Sequence, residues 1–185
     1  MNSHIGIDEN NYPGLLKEIP NAPKYLYYKG DENLLAWPKL VAVVGSRQMT
    51  GYGKKVIERL VPELVRRGAG VVSGMAFGVD ARAHNVCLDC GGKTIAVLAS
   101  GVDVASPKGN CQLYERILRE GGLIVSEYSD GSQVDRVKFL ERNRIVAGLC
   151  SLIIVVEGRQ KEWNLGDSSA GFRLWKRSVG CSRPD

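Results

Sequence analysis

Val41-Ala42-Val43-Val44-Gly45-Ser46-Arg47 is the stretch that decides the fold of this 185-residue chain. Its first four residues are apolar and mostly β-branched, with no polar alternate, the pattern of a parallel strand covered on both faces. The run stops at a glycine, and a helical pattern follows. From Gly53 to Arg67 the apolar positions Val56, Ile57, Leu60, Val61, Leu64 and Val65 recur at helical spacing, and Gly68 and Gly70 end the segment. Pro62 predicts a kink or a split in that helix, because proline lacks a backbone donor and crowds the preceding turn.

The same cycle recurs downstream. Gly70–Ser73, Thr94–Ala99, Leu123–Ser126 and Leu152–Val156 read as buried strands, with helices over Val79–Asp89 and Gln112–Glu120. Strands alternating with short helices imply right-handed crossovers, hence an α/β fold: a Rossmann-like, doubly wound, mostly parallel sheet in a single domain. A chain of this length with 44% hydrophobic residues suits one domain with a real core. Before the first strand, Pro13, Pro20, Pro23 and Pro38 surround Tyr25, Tyr27 and Tyr28, which favours extended and turn geometry. The expected organisation is a lead-in over residues 1–38, the Rossmann-like domain over 39–161 and an aberrant tail over 162–185.

Twenty-five Lys and Arg against twenty Asp and Glu leave a formal charge of +5, which suits an anionic partner without demanding one. Met1 to Asn11 is polar and acidic and lacks the apolar stretch of a signal peptide. No apolar run approaches the roughly 20 residues that span a bilayer, so no membrane role and a cytoplasmic location are expected. Cys87, Cys90, Cys111, Cys150 and Cys181 form no regular framework, so reduced thiols are expected. His84-x-x-Cys87-x-x-Cys90 lacks the further ligands zinc requires and reads as helix packing; no metal and no cofactor are expected.

In an open α/β sheet, ligands bind beyond the carboxyl ends of the strands. The loops there read Gly45-Ser46-Arg47, Ser73-Gly74-Met75-Ala76-Phe77-Gly78, Ser100-Gly101-Val102-Asp103 and Ser126-Glu127. Glycine admits a phosphate close to the backbone, serine adds a donor, and arginine supplies a planar fork for phosphate oxygens. Neither dinucleotide nor P-loop spacing fits: Arg47 stands where G-x-G-x-x-G needs glycine, and Gln48 stands where a P-loop ending at Gly53-Lys54 needs its first. Two further basic segments are Lys108, in Ser106-Pro107-Lys108-Gly109-Asn110, and Arg142-Asn143-Arg144. The latter reads either as a loop that holds two phosphates or a base, or as a solvated helix start. Asp80 and His84, four apart, suit an acid–base pair or a structural pair in which Asp80 holds a loop and His84 makes a buried hydrogen bond. With no Ser-His-Asp order, Cys-His nucleophile or close carboxylate pair beside them, the structural reading is adopted and no catalytic residue is assigned.

Taken together, Tyr27-Tyr28-Lys29-Gly30, Val43-Val44-Gly45-Ser46-Arg47, Tyr52-Gly53, Ser73-Gly74-Met75-Ala76-Phe77-Gly78-Val79-Asp80 and Ala83-His84 resemble the DprA/Smf family of DNA-processing proteins in order and spacing. Thr94-Ile95-Ala96-Val97-Leu98, Gly101 with Asp103, Pro107 with Asn110, Ser126-Glu127 and Arg142 to Leu149 continue the pattern, which covers about residues 12–158. The resemblance implies a non-enzymatic protein that binds single-stranded DNA, forms a homodimer and hands the strand to the RecA recombinase in natural transformation. It carries DNA contacts to Gly45, Ser46, Arg47, Gly74, Lys108, Asn110, Arg142, Asn143 and Arg144. Ser106, at a position usually aromatic, Leu140, in place of a usual proline, and Ala99-Ser100, where a glycine is common, depart from the pattern. The winged-helix and helical domains of some members have no counterpart in this sequence. Two other classes compete: a phosphoribohydrolase acting on nucleoside monophosphates, whose P-G-G-x-G-T loop is not matched, and a nucleotide-ligand sensor using the same phosphate cradle.

After Val155-Val156-Glu157-Gly158 the resemblance breaks off, where a Ser-Gly-Thr-Leu segment, a helix and a last strand are expected. Codons for Glu162–Ser168 permit Ser-Gly-Thr-Leu one base later, and those for Trp175–Pro184 permit a segment ending Val-Pro-Gly. These readings favour a frameshift near Lys161 over a merely divergent tail, leaving a bare sheet edge and reduced stability. The nucleotide sequence of the gene tests this.

Overall fold

The computed structural model describes residues 3–157 and the strand at 173–176. Eight strands form one sheet: β1 (Ser3–Gly6), β2 (Tyr25–Gly30), β3 (Leu40–Gly45), β4 (Gly70–Ser73), β5 (Thr94–Val97), β6 (Leu123–Ser126), β7 (Leu152–Val156) and β8 (Arg173–Lys176). Their spatial order is β1-β2-β6-β5-β4-β3-β7-β8. The central strands β6-β5-β4-β3-β7 are parallel, and antiparallel pairs add β2 and β1 at one side and β8 at the other. The Rossmann-like α/β fold is as expected.

Helices cover both faces. On one lie α2 (Gly51–Arg66), α3 (Val79–Asp89) and α4 (Cys111–Arg119); Val41, Val43 and Val71 of the sheet pack there with Ile57, Val61, Val79 and Ala83. The opposite face carries Ala42, Val44, Val72, Ile95 and Val97 against α5 (Arg136–Gly148), which contributes Ile145 and Val146. The short helix α1 (Gly14–Lys17) adds Leu16 to that second layer. Such two-sided burial is why β3 to β7 read as continuous apolar runs rather than alternating ones.

Two expectations need correction. The helix after β3 is not split at Pro62: α2 runs unbroken from Gly51 to Arg66. Ile57 and Val61 have no exposed surface, and packing of their face on the sheet, about 1.5–3 kcal/mol per side chain, holds the helix across the missing bond. Within the lead-in, Tyr25–Gly30 pairs with β6 and Leu26 lies in the core. Arg142-Asn143-Arg144 lies within α5 rather than in a loop, and Asp135 caps that helix by accepting from the backbone N–H groups of Val137 at 2.7 Å and Lys138 at 3.0 Å.

The tail reading concerns residues 162–185, of which only Arg173–Lys176 lies among the described residues. The β7 edge, expected to be bare, is paired there with β8.

Candidate functional site

The chain runs outward from β3 through β4, β5 and β6, then returns to lay β7 on the other side of β3. This reversal places a crevice at the carboxyl ends of β3 and its neighbours. The Gly45-Ser46-Arg47 loop enters it directly. A Cβ on Gly45 would overlap the Val156 carbonyl oxygen, so only glycine lets β3 and β7 close at this point. The Ser46 N–H donates to Glu157 O at 2.6 Å, and the Gln48 N–H donates to the Ser46 hydroxyl at 3.1 Å. Arg47 is left exposed, its guanidinium 5.0 Å from the Phe139 ring centroid.

The next loop, Gly74 to Gly78, is held from three directions. Asp80 accepts from the N–H groups of Gly74 at 3.1 Å and Ala76 at 3.4 Å, Asn110 Nδ2 donates to Met75 O at 2.8 Å, and Arg142 Nη1 donates to Gly74 O. Arg142 Nη1 donates also to Val97 O, which ties this loop to β5. Met75 has a φ of 57°, a left-handed conformation costly for a side-chain-bearing residue, with its side chain fully buried. Gly78 has a φ of 77°, and a Cβ on it would overlap Ser46 O and lie 2.6 Å from Arg47 O. Glycine at this position lets the two loops touch backbone to backbone.

Burial pushes the Asp80 carboxyl upward, opposed by the Arg142 guanidinium and by hydrogen bonds from Ala76, Ser73 and Gly74. His84 has no exposed surface; its Nδ1 lies 2.7 Å from the Thr94 hydroxyl, which itself donates to Val71 O at 2.8 Å. The Thr94 proton is thus committed, so His84 Nδ1 carries the hydrogen and donates. Desolvation, reinforced by the nearby Arg142 charge, lowers the His84 pKa to about 3. Asp80 thus holds the Gly74–Gly78 loop and His84 makes a buried hydrogen bond, the geometry expected of a structural pair. Burial likewise raises the Cys87 thiol to about 12, and its sulfur donates to Lys93 O, so Cys87 packs as a protonated core thiol.

Residues 3–170 match the family described as DNA recombination-mediator protein A. The chain belongs to that family. It is 45% identical over 161 residues to DNA processing protein DprA of Streptococcus pneumoniae, covering 87% of this chain and 56% of that one. Protein Smf of Synechocystis is 44% identical over 158 residues, covering 83% of this chain and 39% of that one. The chain therefore spans about half the length of these relatives or less. Among solved structures, DprA from Streptococcus pneumoniae superposes with a TM-score of 0.81 at 41% identity over 88% of this chain and 56% of that one. DNA processing protein A from Helicobacter pylori, whose structure is described for its single-stranded DNA binding mode, superposes with a TM-score of 0.77 at 31% identity, covering 89% and 75% of the two chains. No helix among the described residues is long and apolar enough to cross a membrane.

The nine positions that family resemblance singles out differ in surroundings. Arg47 and Lys108 are exposed, while Gly45, Ser46, Asn143 and Arg144 are half-buried. Gly74, Asn110 and Arg142 are buried, Arg142 with only 4% of its surface exposed. Arg144 pairs with Glu127 at the end of β6, so its charge is already met.

Sequence reasoning missed Glu157. Its carboxylate accepts from the backbone N–H groups of Thr50 at 2.9 Å and Gly53 at 3.0 Å, and from the Thr50 hydroxyl. Burial alone would raise the Glu157 carboxyl, but these donors outweigh it and hold it below the usual range. An acid therefore fills the start of α2, where dinucleotide folds hold pyrophosphate. The signal was the acidic residue that ends a buried strand beside a Thr-Gly helix start. Replacing Glu157 with glutamine removes the charge from the helix terminus and lowers stability by about 1 kcal/mol. A urea unfolding midpoint equal to that of the parent chain contradicts this.

Proposed function

We propose that this chain binds single-stranded DNA across the carboxyl edge of its sheet and catalyses no reaction on it. The observation that carries the reading is the pair of exposed cations, Arg47 and Lys108, on loops that lean on the same Gly74–Gly78 segment; neither takes part in an ion pair among the described residues. Unpaired surface cations on glycine-rich loops are free to take phosphate oxygens. The Ser46 hydroxyl, the Arg47 backbone N–H and the Asn143 amide are the further contacts in this reading, with Gly45 letting β3 and β7 close beneath them. Gly74, Asn110 and Arg142 serve by shaping the loops, and Arg144 by its pairing with Glu127. The single-stranded DNA described for the Helicobacter pylori relative supports the choice of ligand. No step is assigned to Asp80 and His84, which lie beneath the loops, Asp80 accepting from Gly74 and Ala76 and His84 Nδ1 bonded to the Thr94 hydroxyl.

The larger role that follows from the family is delivery of single strands to the RecA recombinase by a homodimer, in the cytoplasm, during natural transformation. Arg47→Ala lowers affinity for an unstructured oligonucleotide several-fold at low salt. It also reduces the slope of log affinity against log salt by about 0.7, the counterion release of one single-strand phosphate contact. A salt titration by fluorescence anisotropy reads both, and an unchanged slope removes Arg47 from the interface. RecA filament assembly on protein-coated single strands, with and without this chain, tests the delivery role.

A further inference from the structure

Phe77 has 49% of its surface exposed in a loop whose neighbours Gly74 and Met75 are buried. Leaving half of a phenylalanine in water forfeits burial energy, and no contact of the Gly74–Gly78 loop with Asp80, Asn110 or Arg142 uses the ring. Its placement supplies a use. On one side Gly78 presses against the Arg47 carbonyl, which sets Phe77 beside the arginine loop. On the other, the ring lies against Gly109: a Cβ there would stand 2.9 Å from Phe77 Cε1 and 3.0 Å from Cζ. Glycine next to Lys108 thus clears the space that the ring occupies. The sequence along this edge is cation, aromatic, cation, on three adjacent loops.

We propose that Phe77 is a base-stacking platform: an unpaired nucleobase lies on its open face while flanking phosphates meet Arg47 and Lys108. The inference rests on the single-strand reading above and deepens it. Every base offers a π-face, so such a platform is tolerant of sequence. A duplex keeps its bases stacked on one another, so the same residue selects single strands.

The test compares a labelled oligothymidylate with an abasic strand of equal length and charge, on the full chain and three variants. The parent chain binds the base-bearing strand about tenfold more tightly, within the range of alanine-scan losses at stacking residues. Phe77→Leu keeps apolar volume against Gly109 but has no ring; it loses that preference and keeps the salt slope. Phe77→Trp retains the preference. Arg47→Ala retains it too while lowering the slope, which separates stacking from phosphate contact. If Phe77→Leu discriminates as the parent does, or the parent binds both strands alike, Phe77 is not a stacking platform. Binding of neither strand at low salt defeats the single-strand reading itself, and this inference with it.

Discussion

Arg142→Gln costs the fold about 3–5 kcal/mol, far more than any exposed charge change in this chain. The expectation follows from position. Arg142 sits in α5 with 4% exposure, and its guanidinium is the shared donor to Gly74 O and Val97 O. Its charge also faces the buried Asp80 carboxylate, which accepts from Gly74 and Ala76. A Cβ on Gly74 would come within 2.5 Å of the guanidinium carbon, so the cation is packed against the loop with no room for water. Glutamine satisfies one carbonyl at most and leaves Asp80 without its countercharge; breaking a buried pair in this way is among the largest single-residue penalties. Arg47→Ala, by contrast, changes stability by no more than about 0.5 kcal/mol, since surface substitutions rarely do more. Urea unfolding of the three proteins near neutral pH gives the comparison. Equal midpoints for Arg142→Gln and the parent mean that the guanidinium holds nothing together, and its proposed shaping role then fails.

The same residue marks the limit of what could be read from the sequence. Strands β3 to β7 were legible because burial on both faces writes itself as uninterrupted apolar runs. Helix α5 was not, because its pattern is inverted. Arg142 points into the protein, whereas Val137 and Leu140 are 61% and 70% exposed, so no apolar stripe at helical spacing survives. Strand β2 was obscured by the prolines on either side of it, although Leu26 and Tyr28 lie on the α5 face while Tyr27 packs toward α4. At the site, the glycine-rich loops announced themselves, but the depth of each side chain did not. Which arginine is buried depends on the carbonyls of Gly74 and Val97, residues 68 and 45 positions away in sequence. Phe77 carries no local mark that separates an exposed ring from a core one. Only the neighbouring Gly109, brought close by the fold, gives it away.

Acidification destabilises the chain from about pH 6.5 downward, and His84 is the cause. Its pKa falls from 6.5 to about 3 on folding, through desolvation first and the Arg142 charge second. The folded state therefore holds His84 neutral. The stability this contributes is complete above 6.5 and is lost as pH falls from there toward 3. One proton taken up on unfolding gives a slope of about 1.4 kcal/mol per pH unit, so roughly 2.7 kcal/mol is gone by pH 4.5. His84→Gln offers an amide to the Thr94 hydroxyl without titrating, and its stability lacks this component. Asp80 acts with the opposite sign, since a raised carboxyl loses stability as pH rises through it, but it is common to both proteins and cancels in the difference. Urea midpoints measured from pH 7.5 to 4.5 should diverge below 6.5; parallel curves would falsify the assignment. The Arg142→Gln chain supplies an internal check. With the nearby positive charge removed, His84 takes up its proton at higher pH in the folded state, so the acid loss attributable to His84 levels off earlier than in the parent.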